Sequence, residues 1–153
     1  MLEKTVWTND DFEVMGWHDA HLYSFLAMPD TFELAFDIDY IVEWVQPEPP
    51  EISFTFWVSS ATLIFEYVQN ISVQIEMQYN QGLEIMNLHR QPLGDKGNFH
   101  WVMELSVGKM EFDSSGYTQF FRSAPILTKS QSLGIEKRGG VSFSREPFGS
   151  NYA

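Results

Sequence analysis

Residues 31–45 read TFELAFDIDYIVEWV, and this stretch decides the fold. Every second side chain from Phe32 to Trp44 is apolar, whereas the intervening positions carry four acids. Successive side chains on a β-strand point to opposite faces, so the pattern predicts a long strand with one apolar face. A helix would spread the same residues around its whole circumference. The other face of the strand is then acidic, and its carboxylates are Glu33, Asp37, Asp39 and Glu43.

The residues before this strand predict its hairpin partner. Residues 21–28 read HLYSFLAM, and the Pro29-Asp30 pair that follows is a turn signal. We therefore expect residues 21–28 and 32–45 to form an antiparallel hairpin. A helix over residues 19–28, capped by Asp19, is the competing interpretation. A short helical turn at residues 10–15 is also compatible with the sequence.

Further strands follow at intervals of about eight to twelve residues, separated by turns that contain glycine, as in antiparallel meanders. The candidate strands are residues 52–58, 61–68, 71–79, 83–89, 99–107, 110–113 and 117–122, with turn serines at Ser59 and Ser60. Residues 126–138 fit either an edge strand or a short helix. The sequence thus predicts a single all-β domain over residues 1–138, an antiparallel sandwich or flattened barrel of about eight to ten strands. Residues 139–153 are expected to form a flexible tail.

Charge is spread unevenly along the 153 residues, whose formal net charge is −12. Residues 1–51 contain twelve acids and one base, Lys4, whereas residues 123–153 carry a small positive excess. An acidic body repels nucleic-acid phosphates and anionic lipids, so we expect neither as a partner. It attracts a basic protein surface or a cation, although acidity also serves simply to keep a β-domain in solution.

The chain contains no cysteine, which excludes disulfides, zinc–thiolate sites and a cysteine nucleophile. This composition fits a reducing compartment, and the N-terminal residues show no signal peptide, so we expect a cytoplasmic protein. No apolar run is long enough to span a membrane. The glycine-rich nucleotide loops and the hydrolase and zinc-protease motifs are missing, and we expect no bound cofactor.

A metal site is one alternative function. Imidazoles from a neighbouring strand could join two carboxylates on the acidic face, which would support a metal-dependent hydrolase-type enzyme. The candidate ligands are His18, His21, Asp37 and Asp39. A second pair, His89 and His100, flanks the loop at residues 91–98. On a strand, however, His18 and His21 would point to opposite faces.

The aromatic residues support another alternative, a β-barrel that binds a small apolar ligand. In a sandwich the same rings would form the core. Phe120 and Phe121 are adjacent, so one of them faces away from whatever the other buries. The aromatic set comprises Trp44, Phe54, Phe56, Trp57, Phe65, Tyr67, Trp101, Phe112, Tyr117, Phe120 and Phe121.

Three short motifs carry a resemblance across residues 15–138. They are Trp17-His18-Asp19-Ala20, Asp37-Ile38-Asp39-Tyr40, and Glu104 followed by Phe112 and Gly116-Tyr117. Their order resembles a group of small bacterial all-β proteins of unknown role, some of which are predicted immunity proteins of toxin–antitoxin systems. The resemblance implies a cytoplasmic protein that acts by binding a partner and brings no catalytic residues with it.

We therefore predict a non-catalytic binding module whose contact surface is the acidic face of residues 33–43, with a basic protein as partner. Replacing Asp37 and Asp39 by lysine should then preserve the fold and abolish partner binding. Free edge strands also make a homodimer compatible with the sequence.

Overall fold

The computed structural model describes residues 2–149 and shows an all-β protein with little helix, as predicted. Ten strands form one antiparallel sheet that is not closed. The strands are β1 (Val6–Thr8), β2 (Ala20–Met28), β3 (Glu33–Val45), β4 (Thr55–Glu66), β5 (Gln69–Ile75), β6 (Leu83–Leu93), β7 (Asn98–Leu105), β8 (Gly108–Ser114), β9 (Gly116–Phe121) and β10 (Ile126–Thr128). A 3₁₀ helix (Asn9–Val14) and a one-turn helix α1 (Ile135–Arg138) complete the fold.

The β2–β3 hairpin is confirmed. Phe25 lies opposite Phe36 in its register, and the amide of Thr31 donates to the carbonyl of Met28 across the turn. On β3 the alternating apolar residues Leu34, Phe36, Ile38 and Tyr40 are buried. The hydrophobic alternation of this stretch therefore sets the register, because a shift by one residue would turn the whole apolar face away from the core and bring Asp37 and Asp39 into it.

The sheet folds over on itself into a sandwich-like arrangement. Its strand order is β1-β9-β4-β3-β2-β6-β7-β8-β5, with β10 pairing β4 beside β9. The corner between β2 and β6 consists of three residue pairs, from Ala20 opposite Ile85 to Leu22 opposite Leu83. Two halves thus face each other, β1-β9-β4-β3-β2 and β6-β7-β8-β5.

Aromatic side chains fill the space between the two halves. Phe65 on β4 meets Phe112 on β8 and Trp101 on β7, with ring centroids 4.6 and 5.0 Å apart. These three rings are fully buried. Each contributes the burial of a large apolar surface, and edge-on contacts add roughly 0.5–1.5 kcal/mol per pair. We call the side of each strand that faces this aromatic core the inner side of the sheet, and the opposite side the outer side.

Ser59 and Ser60 do not form the predicted turn, because β4 runs unbroken through both of them. The strands predicted at residues 52–58 and 61–68 are therefore one strand. Ser123 explains how two adjacent serines are accommodated there. Its carbonyl accepts the Ser59 hydroxyl, and its own hydroxyl lies 2.9 Å from that of Ser60.

The segment predicted to be a tail packs against the sheet as far as Phe148. We call residues 129–149 the C-terminal strap. Thr62 donates to the carbonyl of Ser144 at 2.7 Å, and the amide of Phe148 donates to the carbonyl of Phe121 at 2.9 Å. The strap has no hydrophobic periodicity because side chains and turns, rather than a strand ladder, hold it. Residues 150–153 lie outside the described residues. No helix within residues 2–149 is long and apolar enough to cross a membrane.

Candidate functional site

The predicted acidic face does not face solvent at its centre. Asp37 and Asp39 have no exposed surface, because the C-terminal strap covers this outer side of the β2–β3–β4 sheet. Glu33 is half-buried and ion-paired with Arg145 at 2.8 Å. That hydrogen bond holds the pKa of Glu33 below its ordinary value. Among the four predicted carboxylates, Glu43 alone is exposed.

Arg138 neutralises the two buried aspartates. Its Nη1 and Nη2 donate to both oxygens of Asp37 at 2.8 and 2.7 Å, and its Nε donates to Asp39 at 3.0 Å. The remaining N–H groups reach the carbonyls of Gly140 and Ile38 at 2.7 and 3.1 Å. All five donors of this fully buried guanidinium are thereby satisfied. Its plane also lies over the ring of Tyr23, 3.9 Å from the centroid.

A second arginine balances the charge. Arg122 donates to Asp37 at 2.8 Å and to Thr62 at 2.7 Å. We call Asp37, Asp39, Arg122 and Arg138 the Asp–Arg network; two carboxylates meet two guanidinium groups, so its formal charge is zero. Backbone amides of the strap complete it, with Leu133 donating to Asp39 and Ser142 donating to Asp37. This network fixes the strap to the sheet and leaves neither aspartate free for a partner.

The network also shifts two pKa values. Burial, and then the hydrogen bond to Asp39, raises the pKa of Tyr23 to about 12. Burial alone would lower the pKa of Arg138, but its hydrogen bond to Asp37 and the charges of both aspartates outweigh burial and raise that pKa. Both shifts favour the protonated forms that make the observed hydrogen bonds.

The predicted metal ligands do not assemble into a metal site. Nδ1 of His18 contacts the carbonyl of Met86 at 2.8 Å, and the His18 ring stacks on Trp44. His21 lies opposite Asp39 in the β2–β3 register, but it faces Glu84 at 3.7 Å while Arg138 occupies the aspartates. Within residues 2–149, no group of three or more histidine and carboxylate side chains has the arrangement that a metal ion requires.

His89 and His100, the second histidine pair, do not come together either. Both side chains lie on the solvent side of the β6–β7–β8 half, but each has its own carboxylate. His89 lies 3.4 Å from Glu104, and His100 lies 2.7 Å from Asp113 and 3.4 Å from Glu111. The hydrogen bond to Asp113 raises the pKa of His100. These groups form exposed cross-strand pairs.

Most residues of the aromatic set pack in the core and do not line a ligand-binding cavity. Phe65, Trp101, Phe112, Tyr117 and Phe121 are buried and pack edge-on or tilted against their neighbours. Of the adjacent pair, Phe121 is buried and Phe120 is half-buried. The exposed members of the set are Trp44, Phe54 and Tyr67.

A β-bulge explains why Trp44 is exposed. Ile41 pairs with Val58, but Glu43 pairs with Trp57 and Trp44 with Phe56, so one extra residue is inserted into β3. The alternation therefore reverses, and Trp44 joins the outer side instead of the inner side with Phe36. Its ring meets Phe56 at 5.0 Å and Phe54 at 6.1 Å.

These rings belong to a surface that we call the aromatic–acidic surface. Trp44 and Phe54 are each 42% exposed, and Ile52 is 91% exposed. The proline-containing connection between β3 and β4 places carboxylates around them. The surface comprises Trp44, Glu48, Glu51, Ile52 and Phe54.

A cleft of about 550 Å³ opens beside this surface. Phe54 forms part of its wall, and Glu48 and Glu51 line it together with Lys129, the first residue of the strap. None of the ion pairs within residues 2–149 involves Glu43, Glu48 or Glu51. Negative charge and apolar surface therefore coincide here and face solvent.

Sequence reasoning missed Arg122 and Arg138, which lie far from the aspartates in the chain. The positive excess of the C-terminal residues was the available signal, because isolated acids in a central strand need cationic partners if both faces are buried. It also missed Glu48, Glu51 and Phe54. Their signal was the presence of acids and large apolar residues together in a proline-rich connection.

Comparisons with protein families, curated proteins and solved structures found no match for this chain. Its function has to be inferred from its own residues and their geometry.

Proposed function

We propose that this protein is a non-catalytic interaction module that binds a basic protein partner through the aromatic–acidic surface. The coincidence of half-exposed aromatic rings with two glutamates, Glu48 and Glu51, that form no ion pair within residues 2–149 carries the proposal. Aromatic residues are enriched in the centres of protein interfaces, where they supply a large contact area at a low entropic cost. The glutamates surround them as a polar rim.

The charge distribution supports a basic partner. Arg122 and Arg138 neutralise Asp37 and Asp39 internally, so the remaining acidity belongs to the surface. Surface carboxylates at an interface steer a basic partner toward it, accelerate encounter and disfavour acidic competitors. The same charge disfavours nucleic acid and anionic membranes as partners.

The proposal retains the predicted class of function and moves its site. The expected contact surface at Glu33, Asp37, Asp39 and Glu43 is replaced by the β3–β4 connection, where Glu48 and Glu51 lie. The resemblance to bacterial immunity proteins points to the same class, because such proteins act by binding. A cysteine-free chain fits action in the cytoplasm.

Affinity capture with matched charge reversals tests the proposal. The tagged protein, retained on a resin, is exposed to extract of its native cell, and bound proteins are identified by mass spectrometry. We expect one basic protein to be captured by the wild type and lost with the double variant Glu48→Lys, Glu51→Lys.

The control is the double variant Asp30→Lys, Asp95→Lys. It reverses two exposed turn carboxylates outside the surface and changes the net charge by the same amount. It should retain the captured protein. Equal loss with both double variants would show a nonspecific charge effect, and retention with both would remove the aromatic–acidic surface from consideration.

A further inference from the structure

The strand β5 forms one edge of the sheet and has the features of a strand that can pair with a further strand. It is the last strand in the order of the sheet and extends over seven residues, whereas β1 at the opposite end has three. Its sequence, QNISVQI, contains no charged residue, although 20% of the chain is charged. Proteins ordinarily protect a free edge by shortening it, by placing charges on it or by inserting a β-bulge. β5 is neither short nor charged, and its one irregularity lies at its start, between Gln69 and Ser72.

The inner side of β5 is only partly covered. Val73 lies opposite the fully buried Met110 and therefore points toward the core, yet it is 43% exposed. Ile71, which lies within the register shift between Gln69 and Ser72, is 44% exposed. Ser72 lies opposite Glu111 and points to the solvent side. The facing half of the sandwich thus ends before it covers these two β-branched side chains.

We propose that β5 pairs antiparallel with β5 of a second copy of this chain, around a two-fold axis at Ser72. In this register Ser72 lies opposite Ser72 of the second copy. Ile71 then lies opposite Val73 of the second copy, and Val73 opposite its Ile71. A two-fold contact requires such self-complementarity, and β-branched cross-strand pairs stabilise sheets.

The charge distribution favours a second copy of this chain, rather than the proposed basic partner, as the molecule that pairs with the edge of β5. Two copies that each carry a net charge of −12 repel wherever their carboxylates meet. Along β5 they meet without a single charge. A basic protein gains no carboxylate there, whereas it gains two, Glu48 and Glu51, at the aromatic–acidic surface. The two surfaces are therefore separate, and this proposal does not depend on the proposed function.

Charge complementation at residue 72 tests both the dimer and its register. Ser72 is exposed, so Ser72→Lys and Ser72→Glu should each fold, as judged by circular dichroism. Because position 72 faces itself, each variant alone places like charges opposite one another. We expect each to raise the dimer dissociation constant at least about tenfold, or roughly 1.4 kcal/mol. An equimolar mixture should restore the dimer.

Sedimentation equilibrium over a concentration series gives the dissociation constants. Gln91→Lys is the control, because it adds a charge on the solvent side of β6, three strands from the edge, and should leave dimerisation unchanged. A wild-type chain that stays monomeric up to its solubility limit would overturn the proposal. A dimer that persists in both single variants, or a mixture that fails to restore it, would overturn the register.

Discussion

Arg138 donates to both carboxylate oxygens of Asp37 at 2.7 and 2.8 Å, across 101 positions of the chain, and neither side chain is exposed. This two-pronged contact fixes the C-terminal strap to the centre of β3. It also shows that the carboxylate of Asp37, which the sequence predicted to contact a partner, is held inside the protein.

Arg138→Ala should therefore be severely destabilising. It leaves Asp37 and Asp39 buried with only Arg122 to compensate them, and breaking a buried ion pair from one side costs about 3–5 kcal/mol. Urea unfolding monitored by circular dichroism measures the loss. The control is Arg145→Ala, which removes a largely exposed arginine from Glu33 and should cost about 0–1 kcal/mol. Equal losses would mean that the buried network contributes no more than a surface pair. For the same reason, Asp37→Lys with Asp39→Lys should unfold the protein rather than preserve it.

Tyr23→Phe should destabilise the protein by about 1–3 kcal/mol, because Asp39 and the amide of Gly134 each lose a partner. The raised pKa also gives the loss a pH dependence. Folding favours the protonated phenol, so its contribution is complete below pH 10, the ordinary pKa, and disappears as the pH rises through about 12. The measurement is the free energy of unfolding of the wild type and variant across this range. A difference that stays constant through pH 12 would contradict the assigned hydrogen bonds.

His100 should titrate above its ordinary pKa of 6.5 because Asp113 hydrogen-bonds to its ring. Folding then favours the imidazolium, so this pair stabilises the protein below pH 6.5 and the contribution is lost as the pH rises through the folded-state pKa. NMR titration of the ring protons gives that value directly. In Asp113→Asn the pKa of His100 should fall toward the ordinary value, because the hydrogen bond to Asp113 is the largest cause of the shift. An unchanged His100 titration in the variant would rule out Asp113 as the cause.

Gly108→Ala should weaken the attachment of β5. Gly108 has a φ of +149°, and a Cβ there would overlap the carbonyl oxygen of Gln74 in the neighbouring strand. Relieving the overlap requires the β5–β8 ladder to open, at a cost of about 1–3 kcal/mol in the free energy of unfolding. Hydrogen exchange should show faster exchange of β5 amides. Gly94→Ala controls for the loss of a positive-φ glycine, because nothing lies within 4 Å of its added Cβ. Slow exchange at β5 in Gly108→Ala would contradict the overlap.

Local patterns predicted the local structure well. The alternation from Leu34 to Tyr40 gives the strand, its buried side and its hairpin, because each of these depends on residues close in the chain. The same pattern fails at Trp44, because a β-bulge is an insertion that hydrophobicity does not reveal. The turn predicted at Ser59 and Ser60 is wrong because the residue that accommodates these serines within a strand, Ser123, lies more than sixty residues away.

The site was harder to predict than the fold for a related reason. An alternating acidic stretch looks the same whether its outer side meets water or two distant arginines. Only the tertiary structure distinguishes these environments, since nothing near Asp37 and Asp39 in sequence indicates Arg122 or Arg138. Exposed interaction residues such as Phe54 lie in irregular segments, where no period marks them.

The position of Arg138 also bears on how the protein is made. A ribosome that adds about 5–20 residues per second completes the β2–β3 hairpin seconds before it reaches residue 138. During that interval the nascent hairpin carries two aspartates without this arginine, and they remain in contact with water. The sheet therefore cannot bury its outer side during early synthesis, and folding is completed only when the last part of the chain emerges. The apolar inner side of β3 can be covered earlier, because Phe112, which packs against Phe36, precedes residue 138 in the chain. Closing the outer side over the two aspartates is therefore the late step of folding.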